Sequence, residues 1–472
     1  MLFSSIEFLY YFLPAAVLIY FLIPMPNGSP APRNYWLLVS SLVFYMWGGP
    51  WYLVLITAQS LAGWLFGLLI ENRRGRPGAR LALAGAVLVG LSGLLFFKYT
   101  DFFLANINAA LKTSIPLLKI ALPLGISFNT FQLLSYDIDL YYGKIKLQRN
   151  FFTLFAYVVL FPQLIAGPIV RYSTVERELH SRTHSIDMAA AGVRRFVIGL
   201  GKKVLIANVL GEFVAYYNAG GERSVLGAWV YIITYAFHLY FDFSGYSDMA
   251  IGMGKIFGFN FLENFNYPYI SRSVTEFWRR WHISMSSWFR DYIYIPLGGN
   301  RVKLPRHIFN IMVVWFVTGF WHGAGWNYVT WGLYFGCLML FEKFVFGKAL
   351  EKIPRVFSHV YIIVCIAVGW NLFDSDSLIM AVERIGCLFG VGATEIIGRD
   401  TLYYLRSYIV PLLAAAVGCT PGPARLAAKL AESAKGRLLI TIIEPLAVGA
   451  LLVAVTAYLV DGSFNPFIYF RF

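Results

Sequence analysis

Two histidines forty residues apart, His282 and His322, are the side chains best suited to move a proton in this apolar chain. A neutral imidazole in a water-poor setting is a competent general base for a hydroxyl; the bland reading of a lone histidine in an apolar helix is a structural residue held by a hydrogen-bond partner. His322 lies in Thr318-Gly-Phe-Trp-His322-Gly-Ala-Gly-Trp326, where Gly319, Gly323, Ala324 and Gly325 remove bulk around the ring. Small residues allow helices to pack closely. Beside an ionisable ring they also suggest space kept for a substrate. His282 lies in Glu276–Tyr294, E-F-W-R-R-W-H-I-S-M-S-S-W-F-R-D-Y-I-Y. Read as one helix, this places Arg279, His282, Ser286 and Arg290 within an arc of roughly 80°, with Phe277, Trp281, Trp288 and Tyr292 on the other side. Such a helix would turn a basic face to a polar cavity; the bland reading is an amphipathic helix at the membrane interface. Pro296-Leu-Gly-Gly-Asn-Arg301 ends it with strong turn signals.

Other chemistries lack their groups. The chain has no H-E-x-x-H, no G-x-S-x-G and no Walker A motif, which argues against a zinc protease, a serine hydrolase and a nucleotide hydrolase. Its four cysteines are scattered with no C-x-x-C, so neither a disulfide framework nor a zinc site is expected. The nearby carboxylates have no ligand-like spacing to the two histidines, and no metal is expected.

The elements that position these residues must sit in lipid. The 472 residues are 58% hydrophobic and 14% charged, against roughly a quarter charged in soluble proteins, and the mean hydropathy is +0.62. One polytopic unit is expected, with about ten to thirteen transmembrane and re-entrant segments of around 20 apolar residues each. The candidates fall near 6–23, 35–47, 51–70, 80–98, 121–142, 151–170, 194–217, 226–258, 306–321, 326–346, 357–373, 403–418 and 438–460. The net charge of +14 comes from short basic loops such as Arg73–Arg80 and Arg425–Arg437, a positive-inside pattern and not a nucleic-acid surface. These loops are expected on the cytoplasmic side, which sends the tail after residue 460 outward. Asp137, Asp139, Asp242 and Asp248 lie at membrane depth, where they face a wet cavity or bind helices together. No internal repeat supports a transporter, though a polytopic transporter or polysaccharide exporter remains the rival class.

The motifs F-D-F-S-G-Y-S-D-M-A-I-G (241–252), N-F-N-Y-P-Y (264–269), E-F-W-R-R-W-H-I-S-M-S-S-W-F-R-D-Y-I-Y-I-P-L-G-G-N-R (276–301) and T-G-F-W-H-G-A-G-W (318–326) resemble the membrane-bound O-acyltransferase (MBOAT) family, in its bacterial polysaccharide branch. P-L-G-I-S-F-N-T-F-Q (123–132) and F-P-Q-L-I-A-G-P-I-V-R (161–171) fit as well; 350–435 matches no motif. The resemblance implies an all-α ring of helices around a central funnel, in a bacterial cytoplasmic membrane. It implies His322 and His282 as catalytic residues, and acetyl-CoA as a passing donor with no permanent cofactor. It further implies an SGNH-hydrolase-type extracytoplasmic partner that completes O-acetylation of an exported polysaccharide such as alginate. Arg279, Arg290 and Ser286, on the basic face, are the candidate donor-binding residues. The tail Asn465–Phe472 resembles the C-terminal motif of the small peptide of the teichoic-acid D-alanylation machinery. That makes Tyr469 a candidate acyl carrier, with an aromatic interface anchor as the other reading.

Overall fold

A computed structural model of the chain describes residues 2–123, 125–164 and 167–461. Among them the regular secondary structure is helical apart from one isolated bridge between Ser224 and Glu395. Six helices are long and apolar enough to cross a membrane: Pro50–Asn72, Pro77–Leu111, Val225–Ile256, Trp326–Lys352, Arg355–Asp374 and Ala434–Val460. Arg399–Ser407 and Ile409–Gly418 bend by 63° at their junction and make a seventh if they form one broken span. The protein is therefore a multi-pass, all-helical membrane protein. The other expected segments form shorter or more polar helices, such as Phe8–Leu22, Ala31–Met46 and Ile126–Tyr141. Proline opens Pro50–Asn72 and Pro77–Leu94, where its missing N–H would have had no helical partner.

The helices pack as two compact units, Met1–Phe196 with Ser247–Leu262, and Val197–Tyr246 with Glu263–Phe472. In the first, Gly63 and Gly67 of Pro50–Asn72 meet Leu133 and Tyr136 of Ile126–Tyr141, each within 3.1 Å of where a Cβ would stand. The membrane-depth acids are largely bound. Asp139 pairs with Lys144 at 3.2 Å and Asp248 with Arg195 at 2.7 Å; in the second unit Asp242 pairs with the buried Lys203. These pairs tie elements together and reduce the cost of charge in lipid.

The second unit holds both histidines. Leu304–His322 and Trp326–Phe341 form a tight hairpin whose backbones touch. A Cβ on Gly319 would lie 2.3 Å from the Tyr328 carbonyl oxygen, and one on Gly332 would lie 2.2 Å from that of Trp315. The Tyr328 ring closes off Gly323 in the same way, 2.2 Å from where a Cβ would lie, and Asn327 Oδ1 closes off Gly325 at 2.4 Å. The expected substrate space at these glycines is thus taken up by the chain itself. They serve close packing. Gly332→Ala is expected to lower the unfolding midpoint of the detergent-solubilised protein, by about 1–3 kcal/mol of overpacking. Gly449→Ala, with nothing within 4 Å of its Cβ position, should leave the midpoint in place or raise it.

Candidate active site

The expected single helix from Glu276 to Tyr294 is broken. Val274–Arg280 stops, His282 adopts a left-handed backbone (φ 44°, ψ 55°), and Ile283–Phe289 begins afresh. The cause is a neighbouring segment that satisfies the freed backbone groups. Asn266 N–H donates to the Arg280 carbonyl at 2.9 Å, and Ile283 N–H donates to the Asn264 carbonyl at 3.0 Å. A left-handed conformation at a non-glycine residue costs roughly 1–2 kcal/mol, and such conformations gather at functional sites. The expected helical stripe changes with the break. Arg279, Ser286 and Arg290 still line one cavity, but His282 is not among its lining residues. The turn expected at 296–301 is present, with Gly298 at φ 106° and Gly299 at φ 58°.

His282 is completely buried. Its Nδ1 lies 3.1 Å from Asn264 Oδ1, which also accepts from Ser284 N–H at 3.3 Å and Ser284 Oγ–H at 2.9 Å. A backbone N–H can only donate, so this amide oxygen is the acceptor and His282 Nδ1 carries the proton. Nε2 is left as a lone pair, with no hydrogen-bond partner among the described residues. Burial pushes the imidazole down to about 3, which keeps it neutral. Phe243 meets the ring edge-on at 4.7 Å.

His322 closes its helix inside an aromatic box. Trp331 and Phe373 stand nearly perpendicular to its ring at 4.9 and 5.4 Å, and Trp321 lies at 4.9 Å. Trp321 also stands 6.4 Å from His282, so one indole lies beside both imidazoles. The histidines are neighbours across that ring.

A cavity of about 870 Å³ approaches this box. Ile311, Val314, Trp315 and Thr318 contribute one face of Leu304–His322 to its wall. That stripe at i, i+3, i+4 and i+7 continues to His322, one turn beyond Thr318. Trp278, also in the wall, packs on Trp331 at 5.5 Å, and Trp331 packs on His322 at 4.9 Å, so two indoles stand between this part of the cavity and His322, which is not itself among the lining residues. The wall also carries charge: Arg272, Arg279, Arg290 and Lys343 line it along with Glu276, Glu342 and Glu351. Arg290 is bound to Asp291 at 2.7 Å, whereas Arg279 makes no ion pair among the described residues.

Glu342 escapes a reading of the sequence. Its buried carboxylate accepts from Val274 N–H at 2.5 Å, and from Thr275 N–H at 2.9 Å and Thr275 Oγ1–H at 2.7 Å. It caps the positive end of the helix that carries Arg279. Asn264 and Phe373 are further site residues that sequence reasoning misses. The N-F-N-Y-P-Y motif flags the first, while nothing local could flag the second. Tyr469 lies outside the described residues. Among those residues no cluster of His, Cys, Asp and Glu could hold a metal ion.

The fold is thus a polytopic helical bundle with a boxed histidine one turn beyond a cavity lined by both charged and apolar side chains. The chain belongs to the membrane-bound O-acyltransferase family, whose model matches residues 144–373. It is 40% identical over 398 residues to the "probable alginate O-acetylase AlgI" of Azotobacter vinelandii, covering 83% of this chain and 79% of that protein. The peptidoglycan O-acetyltransferase of Helicobacter pylori is 34% identical over 428 residues, 84% of this chain and 81% of the relative. The teichoic acid D-alanyltransferase of Bacillus subtilis is 32% identical over 246 residues, 49% and 62% of the two chains.

The His282 setting predicts a pH signature. Its folded pKa is depressed, so below about pH 6.5 the unfolded chain takes up a proton that the folded chain refuses. Stability from this residue is therefore lost as pH falls from about 6.5 toward 3, at up to roughly 1.4 kcal/mol per unit. Unfolding midpoints measured at pH 7 and pH 5 should fall more steeply for the wild type than for His282→Asn; parallel falls would remove the neutral buried imidazole.

Proposed function

We propose that this protein takes acetyl groups from acetyl-CoA on the cytoplasmic side of a bacterial cytoplasmic membrane and passes them outward for O-acetylation of an exported polysaccharide. The observation that carries this reading is the lining stripe Ile311–Trp315–Thr318, whose helical spacing continues one turn on to His322. The lining cations suit donor phosphates and the apolar part of the wall suits a thioester arm. The basic residues Arg301, Lys303, Arg306, Lys348 and Lys352, at the opposite end of the hairpin from His322, support a cytoplasmic mouth.

In this reading His322 accepts the proton of an acceptor hydroxyl as its oxygen attacks the acetyl carbonyl. The carbon–sulfur bond breaks, and the imidazolium returns the proton to the leaving thiolate. Trp331 and Phe373 hold the ring and exclude water. His282, protonated on Nδ1, presents an acceptor at Nε2 and not a donor. It therefore positions a hydroxyl or the Trp321 side of the site; polarising the donor carbonyl would need an N–H that Asn264 already holds. Arg279, Ser286 and Arg290 stand where the donor would lie. An SGNH-hydrolase-type partner would finish the transfer outside, and Tyr469 would carry the acetyl group to it. The acceptor polymer is read as alginate or peptidoglycan, after the alginate O-acetylase and peptidoglycan O-acetyltransferase relatives.

His322→Ala should reduce acetyl ester on secreted polymer to the level of a deletion strain, with the variant present in the membrane at normal amount. Thr318→Trp, which fills the inner cavity and leaves both histidines in place, should reduce it by more than about tenfold. Wild-type acetylation in the His322→Ala strain would refute the assignment.

A further inference from the structure

Three cationic side chains line the cavity without an ion pair to a carboxylate among the described residues: Arg272, whose backbone N–H alone donates to Glu276 at 3.0 Å, Arg279 and Lys343. Of the acids beside them, Glu276 is held by Arg280 at 2.9 Å and Glu342 is engaged by the Val274–Arg280 helix. Among the described residues, Glu351 is the one lining carboxylate with no such partner. Lys343 differs from the two arginines because its ammonium is fixed from behind. His307 is buried, and its Nε2 lies 3.1 Å from Lys343 Nζ and 2.9 Å from the Tyr294 hydroxyl. An ammonium can only donate, so Nε2 is an acceptor and His307 carries its proton on Nδ1. One lone pair then serves two donors, Lys343 and Tyr294, both of which line the cavity. The ring of Phe344 lies 5.8 Å from Nζ and supports the same placement.

We propose that Lys343, held by His307 and Tyr294, is the phosphate-recognising cation of the cavity and selects a phosphorylated thioester donor over the same thioester without phosphates. A lysine normally loses much rotamer freedom when it binds an anion, and an ammonium already held in place loses less. Two of its three N–H groups remain for phosphate oxygens, with Arg272 and Arg279 as the other positive groups of the wall. His307 and Tyr294 are positioning residues in this arrangement. The inference rests on the donor-cavity reading above and adds what the cavity reads on the donor.

The test is equilibrium binding to the full chain in nanodiscs of phosphatidylcholine alone, so that no anionic lipid headgroup competes for the site. The probes are acetyl-CoA and acetyl-pantetheine, which share the thioester and differ in their phosphates. Lys343→Met should weaken acetyl-CoA binding by about tenfold or more and leave acetyl-pantetheine binding unchanged. His307→Leu should act in the same direction, and His307→Gln, which keeps an acceptor oxygen, should restore most of the loss. Unchanged acetyl-CoA binding in Lys343→Met, or an equal loss of both probes, would overturn the role of Lys343 while leaving the donor cavity standing. Failure of the wild type to bind acetyl-CoA would remove the donor reading and this inference together.

Discussion

The site depends on a backbone contact. Gly319 and Gly332 bring the Leu304–His322 and Trp326–Phe341 helices closer than any side chain would permit. That approach sets where Trp331 stands, and Trp331 forms one wall of the box around His322 and the partition between it and Trp278 of the cavity wall. The same hairpin returns the chain so that His307 on one helix and Lys343 on the other meet at the far end. Loosening the contact would disturb the histidine, the partition and the charged rim together. Lipid cannot supply the force, since its tails are as apolar as the helices; packing geometry must.

A second constraint is the cost of leaving polar groups unsatisfied in a dry interior. It explains the break at His282. Interrupting a helix exposes a carbonyl and an N–H, and Asn264–Asn266 answers both, while the Asn264 side chain fixes which imidazole nitrogen holds the proton. Glu342 solves the corresponding problem at the start of the preceding helix. The two short helices beside the cavity are thus each anchored at one end by residues distant in sequence, which holds Arg279 and Ser286 on a fixed wall.

Much of this is legible from composition and pattern. The apolar runs locate the helices, though polar residues such as His307, Asn310 and Thr318 keep Leu304–His322 outside the group of plainly membrane-crossing ones. The Gly298-Gly299 turn is legible as well, and the two histidines stand out by residue type. Periodicity misleads at His282, because helical spacing says nothing of a backbone segment that arrives from another part of the chain. The glycines around His322 suggest space when they mark contact; absent bulk looks the same in a sequence whether a substrate or a neighbouring helix fills it. Phe373 and Glu342 belong to the site through tertiary packing alone, and no local signal announces them.

The central claim is that the cavity delivers a thioester to His322. It is tested most directly by determining the structure of the full chain in lipid with a non-cleavable thioether analogue of acetyl-CoA. The account predicts phosphates against Lys343 and Arg279, the pantetheine arm along Ile311, Trp315 and Thr318, and the acetyl carbon at the His322 ring. An analogue bound elsewhere, or bound in this cavity with its acetyl group pointing away from His322, would contradict it.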